Sequence, residues 1–228
     1  MAERGQLEGT ERETAEDQAG HAFSVAIPRS VTTSLFSQTS GNNVPVQLGF
    51  LDSTPNLIPA PPLLLVPVEP DFQNEQFQGK WYFLGLAGNG FNKEKHRRMK
   101  MYIANYELNE DNSYNVTSTV AWNQTCHPST KIFLPNLHLG QFNLGNIERY
   151  TGIQNYTSKV VTTDYNQFAI LYFKKVHDNQ EYIKVILYGR NKDLPSVPKA
   201  IFISFIKSLG LTDDHIIFPI PNDECMDK

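Results

Sequence analysis

The sequence has little of what most catalytic and membrane classes need. Only two cysteines occur, Cys126 and Cys225, and they stand far apart, so there is no CxxC pair for a redox or zinc site. No run reaches the ~18 apolar residues of a membrane span. The greasiest stretch, Leu57 to Val68, is interrupted by Pro59, Pro61, Pro62 and Pro67. The six histidines show no HxxxH or His-x-His spacing, and neither a nucleophile elbow nor a phosphate loop appears. Carboxylate pairs such as Asp213-Asp214 read as loop solvation rather than acid–base machinery. The net charge is −4, and neither end nor body has the basic balance of a nucleic-acid binder.

What is present is aromatic wealth: 10 Tyr, 14 Phe and 2 Trp in 228 residues, which suits β-structure or a lined cavity. Residues 1–51 are rich in Glu, Gln, Ser, Thr and Gly without sustained periodicity, and are expected to be disordered or atypical; residues 52–228 are expected to form one domain. Nothing before Ser53 supplies the basic and apolar regions of a signal peptide. Two widely spaced cysteines are read most naturally as one long-range disulfide, and the sequons at Asn115, Asn123 and Asn155 are glycosylation candidates. The expectation is therefore a secreted body behind an atypical first segment.

From Phe77 onward, short β-like runs alternate with turn signals. Strands are predicted at about 79–87, 101–108, 113–122, 131–134, 141–149, 157–164, 167–176 and 181–188. Polar turns such as Asn109-Glu110-Asp111-Asn112 and His177-Asp178-Asn179-Gln180 favour antiparallel neighbours. Ile201, Phe202, Phe205, Ile206 and Leu209 then form a helical stripe ending at Gly210, and Ile216-Ile217-Phe218 predicts a last short strand. Eight antiparallel strands fit a closed barrel with room for one ligand or a filled sandwich, and composition does not choose between them.

Three short motifs do choose. Gly79-Lys80-Trp81 opens the first strand, Thr163-Asp164-Tyr165 lies in a strand connection, and Arg190 follows the last long strand. In this order they resemble the signature elements of the lipocalin family, in which an indole plugs the closed end of the barrel and a guanidinium stacks on it. Segments such as Phe77-Gln78-Gly79-Lys80-Trp81-Tyr82, Tyr114-Asn115-Val116-Thr117-Ser118 and Leu187-Tyr188-Gly189-Arg190 are similar to the siderophore-binding lipocalins, and the resemblance covers residues 52–228. It implies an all-β, eight-stranded up-and-down barrel with one C-terminal helix, and a bond between Cys126 and Cys225.

The resemblance further implies a secreted binding protein of innate immunity that sequesters ferric catecholate siderophores and so limits bacterial iron uptake. No cofactor or direct metal ligand is implied, because the siderophore itself wraps the iron. A cell-surface uptake receptor is a possible partner by the same analogy; a covalent partner is not expected, because both cysteines are used. A ferric tris-catecholate carries three negative charges, so its cavity must supply cations, each able to add ~0.5–2 kcal/mol of cation–π contact. The family's cationic positions correspond to Lys131, Lys175 and Lys184, and its other lining positions to Tyr102, Ala104, Ser118, Phe133, Tyr156, Phe173, Tyr182 and Tyr188. The family's tryptophan beside the first cation is Ser129 here, and its arginine is Lys131; Trp122, on the strand face of Ser118 and Val120, is the available replacement for the aromatic wall.

Strand alternation puts Tyr182, Lys184, Ile186 and Tyr188 on one face and Leu171, Phe173 and Lys175 on another. Parity alone leaves both lysines free to face outward, in which case the cargo would be a neutral retinoid or fatty acid. A third reading rests on the basic run Lys93-Glu94-Lys95-His96-Arg97-Arg98-Met99-Lys100 in the first long loop, which could contact an acidic surface or steer an anionic ligand.

Overall fold

The computed structural model describes residues 57–193 and 195–226. The expected boundary at 51/52 and the opening segment lie outside the described residues. Eight strands run antiparallel in chain order: β1 Gly79–Ala87, β2 Ile103–Leu108, β3 Tyr114–Trp122, β4 Thr125–Pro135, β5 Gln141–Leu144, β6 Ile153–Thr163, β7 Phe168–His177 and β8 Gln180–Gly189. Each pairs with the next. β1 pairs with both β8 and β2, which closes the sheet into a barrel, and the two-residue β9, Ile216–Ile217, adds to β1 at Leu86 and Ala87. Closure settles the choice between barrel and sandwich.

Most predicted strands match within a few residues; the exceptions have local causes. β4 starts six residues earlier than predicted, because Pro128 disguises its first half. β5 pairs only with Phe133–Pro135, so Pro128 sits where β4 is an edge and a missing N–H is tolerated. β5 stops at Leu144 because Asn146 turns left-handed (φ 51°) and starts the 3-10 turn Ile147–Arg149. β6 begins four residues earlier than predicted, where the polar Gln154 and Asn155 hide an exposed strand start.

Two cores result. Inward side chains fill the barrel around Trp81, Tyr114, Phe142 and Leu171, and a second core lies between the outer wall and the helix Ser196–Ser208. That helix begins before its apolar stripe, with Pro198 in the first turn where no N–H partner is needed. It buries Phe202 and Ile206 against the sheet, whereas Ile201, at the edge of the predicted stripe, is exposed. Gly85 makes the contact possible, since a Cβ there would meet the Phe202 ring at 3.3 Å. Gly210 ends the helix at φ +81°, accepting the left-handed turn that a side chain would strain.

The three signature motifs form one latch at the closed end. Arg190 lies 3.6 Å from the Trp81 ring and donates to the carbonyls of Gln76, Phe77, Gln78, Lys80 and Tyr165. Trp81 donates to the Phe77 carbonyl at 2.8 Å. Gly79 adopts φ +96°, and any Cβ would lie 3.4 Å from the Arg190 guanidinium. Thr163 accepts from the Tyr165 N–H, while Asp164 caps Gln167 and Phe168. Across the barrel, Cys126 and Cys225 are bonded, tying the C-terminal segment to the start of β4.

Candidate functional site

The other end of the barrel is open, framed by the β1–β2, β3–β4, β5–β6 and β7–β8 connections. The cavity beneath it is lined by Tyr102, Tyr106, Val116, Ser118, Ser129, Lys131, Phe133, Tyr156, Phe173, Lys184, Ile186 and Tyr188. Its space measures about 500 Å³, the open mouth included. Its floor is packed by Phe77, Tyr114, Phe142 and Leu171.

Strand alternation positions the cations. Lys174 and Lys175 are consecutive on β7, so they face opposite ways: Lys174 meets Glu181 outside at 2.7 Å, whereas Lys175 is buried. Lys175 Nζ lies 5.7 Å from the centre of the Tyr182 ring, its register partner on β8. Lys184 is buried, with Nζ 4.8 Å above the Phe173 ring, and Lys131 approaches Tyr150 at 5.8 Å. Burial lowers the Lys184 ammonium to a pKa of about 7, and the charges of Lys131 and Lys175 add to the effect. Lys184 therefore senses both of the other amines.

Aromatic groups complete the wall. Tyr156 stacks on Phe173 at 5.9 Å, and Phe133 leans on both. Tyr188 lines the cavity with Tyr102 and Tyr106, and burial keeps all three phenols protonated well above the ordinary range. Burial raises Tyr156 in the same way. Four neutral phenols, two serine hydroxyls, two lysines and no carboxylate thus line the cavity. Such a lining suits an anionic or catechol-like guest, which can accept from phenols and pair with ammonium groups.

Eight predicted lining positions are on the cavity wall. Ala104, Lys175 and Tyr182 are not: Ala104 is buried in the interior beside its partners Trp81 and Ser118, and Lys175 and Tyr182 pair with each other across β7 and β8. Trp122 does not supply the missing aromatic wall. It shares the inward face, but it stands at the last position of β3, beyond the cavity lining and 43% exposed. Tyr106 and Val116 line the cavity without having been predicted, although continuing the alternation from Tyr102 and Ser118 reaches both. His127 lies in the same register as Ser129, half-buried on β4, and its Nε2 is 2.6 Å from the Thr125 hydroxyl. Of the sequons, Asn123 is exposed at the β3–β4 turn and Asn155 is exposed at the start of β6, while Asn115 is half-buried and donates to Asn109. No group of three or more metal-ligating side chains occurs among the described residues.

The Lipocalin / cytosolic fatty-acid binding protein family matches residues 78–223, the span from the indole latch to the C-terminal tether. The chain belongs to the lipocalin family. It is 52% identical to neutrophil gelatinase-associated lipocalin of Rattus norvegicus over 177 residues, 78% of this chain and 89% of that one. Identity to the Homo sapiens protein of that name is 52% over 176 residues, 77% and 89% of the two chains. Among solved structures it resembles the solution structure of lipocalin 12 from rat epididymis, with a TM-score of 0.64 and 28% identity, covering 71% of this chain and 93% of the other. As a lipocalin related to these proteins it is a small-molecule binding protein and not an enzyme. No helix among the described residues is long and apolar enough to cross a membrane.

Proposed function

We propose that this lipocalin captures ferric catecholate siderophores, or related catechol anions, in its open calyx and withholds the iron from bacteria. One observation carries the reading: Lys131 and Lys184 stand with four phenols on a wall that has no carboxylate, and Lys175 adds its charge nearby. A ferric tris-catecholate is a trianion with aromatic faces. It would receive ammonium charge, ring contacts and hydroxyl donors together, in a site dry enough to strengthen all three. Iron stays wrapped by the siderophore and takes no protein ligand. The ligand-binding set is Tyr102, Ser118, Lys131, Phe133, Tyr156, Phe173, Lys184 and Tyr188, with Lys175 and Tyr182 at its edge and Ala104 behind it.

Ser129 and Lys131 set the affinity: a serine offers no ring, and an ammonium lacks the planar fork of arginine. The same proposal makes the chain a secreted glycoprotein, with its domain beginning near residue 52, for which the disulfide and the exposed sequons at Asn123 and Asn155 are the support. An uptake receptor on cells would complete iron transport. A neutral apolar cargo is disfavoured by the cost of burying two lysines against it.

Fluorescence quenching of the full chain by ferric and iron-free catecholate siderophores, with a retinoid as control, tests the proposal. Tight binding of the ferric catecholate is expected. Retinoid binding without a catecholate response would overturn it in favour of a neutral cargo.

A further inference from the structure

The β1–β2 connection carries charge that the calyx does not use. Lys93, Lys95, Arg97, Arg98 and Lys100 are all exposed, and none lines the cavity. The backbone beneath them is held firmly. Asn92 caps the helical turn Lys93–His96, its Oδ1 accepting from the N–H groups of Glu94 at 3.0 Å and Lys95 at 3.3 Å. Phe91 and Met101 are buried at the two ends of the run. Met101 donates to the Ile220 carbonyl at 2.9 Å, and Ile220 donates to the Met99 carbonyl at 2.8 Å. Apolar side chains therefore anchor the segment while its cations stay in solvent.

Few acids offset these cations. Glu94 lies 3.7 Å from Arg97 and Glu224 lies 3.4 Å from Lys100, both in exposed pairs that contribute little. Asp213, in the adjoining turn, is paired with Lys207 at 3.3 Å. Lys93, Lys95 and Arg98 have no carboxylate within ion-pair distance among the described residues.

We propose that this loop is a second binding site, separate from the calyx, for a sulfated glycosaminoglycan chain. Short runs rich in lysine and arginine are the electrostatic footprint of such polyanions. The five cations are spread along an exposed run and do not line the calyx, so they suit a repeating polymer that gains by releasing counterions at several points at once. Adjacent guanidinium groups on Arg97 and Arg98 match sulfate oxygens in pairs. A nucleic acid is the poorer fit, because the patch offers no exposed ring for base stacking: Phe91 is buried and His96 packs on it at 5.2 Å. A lipid surface would bury several apolar side chains among the cations; here Met99 is half-buried and Ile220, beside Lys100, is a single exposed one. The disulfide suits an extracellular setting, where sulfated polysaccharide is the common linear polyanion.

The test is retention of the full chain on immobilised heparin at about 0.15 M NaCl, with a desulfated polymer as control. Binding to heparin alone is expected, with affinity falling as salt rises. The variant K93Q/K95Q/R97Q/R98Q should bind about tenfold or more weakly, with a salt slope shallower by about two to four. Removing two exposed cations elsewhere, R149Q/K199Q, should leave binding within about twofold. No retention even at about 0.05 M NaCl, equal retention of the quadruple variant with its melting temperature unchanged, or binding to phosphatidylserine vesicles but not to heparin would each overturn the proposal. Ferric catecholate binding should be retained in the quadruple variant, so failure here and failure of the calyx reading are separable.

Discussion

Lys184 occupies an expensive place for an ammonium. It is buried, faces the Phe173 ring and feels two other lysines, and its pKa falls from 10.5 to about 7. Unfolding returns the amine to water, where it keeps its proton up to the ordinary value. Between about 7 and 10.5 the unfolded chain therefore binds more protons than the folded one, and stability rises with pH across that window. Below about 7 both states are charged, and the folded chain carries the whole penalty. K184M should accordingly melt higher than the parent near pH 6, and the gain should vanish as pH approaches 10.5, measured by thermal denaturation. Binding of an anion should reverse the local penalty and pull a proton on. Calorimetry of ferric catecholate binding near pH 8, in buffers of different ionisation enthalpy, should show proton uptake that K184M loses. Uptake unchanged in K184M would remove Lys184 from the ligand's surroundings.

Among the elements, the closed-end latch is where sequence and structure meet most directly. Arg190 serves five carbonyls and covers Trp81, so one side chain joins the turn before β1, β1 itself, the β6–β7 connection and the end of β8. R190A strips donors from several partly buried acceptors and should destabilise by ~2–4 kcal/mol in denaturant titration. R190K should recover a minority of this, since one ammonium cannot reach so many directions. A loss under ~1 kcal/mol would make the latch ornamental. Its motifs were legible because their spacing is short and the family resemblance fixes their roles. The alternation of β7 and β8 was legible too, but parity named faces without saying which was inside; Lys174 and Lys175 were separated only by closure of the barrel. Nor does parity give height along the barrel axis. That is why Trp122, on the inward face, lies beyond the lining, and why the extent of the wall toward Tyr106 was missed. Pro128 concealed half of β4 for a different reason, because tolerance of proline depends on which neighbour a strand lacks.

For the whole molecule, the barrel is closed by β1–β2 pairing, yet the upper half of β4 has β3 as its only strand neighbour there. The C-terminal segment compensates. Cys225 bonds Cys126 across a sequence separation of 99, Met226 is buried, its carbonyl accepts from Lys80 at 2.9 Å, and Asp223 meets Lys192 at 2.7 Å. A loop of this length implies up to ~4.7 kcal/mol of denatured-state entropy removed by the bond. C126S/C225S should therefore lower the melting temperature by roughly 5–15 °C for a domain of this size. Neither cysteine lines the cavity, and the anchors of the C-terminal segment include contacts that survive reduction. Affinity for the ferric catecholate at 25 °C should then change by less than about threefold, a coupling under ~1 kcal/mol. A double variant that melts like the parent would show that packing of Met226 and the Lys80 contact already hold the tail. One that melts lower and also loses binding would show that the tether sets the shape of the calyx mouth through β4, where Ser129 and Lys131 stand.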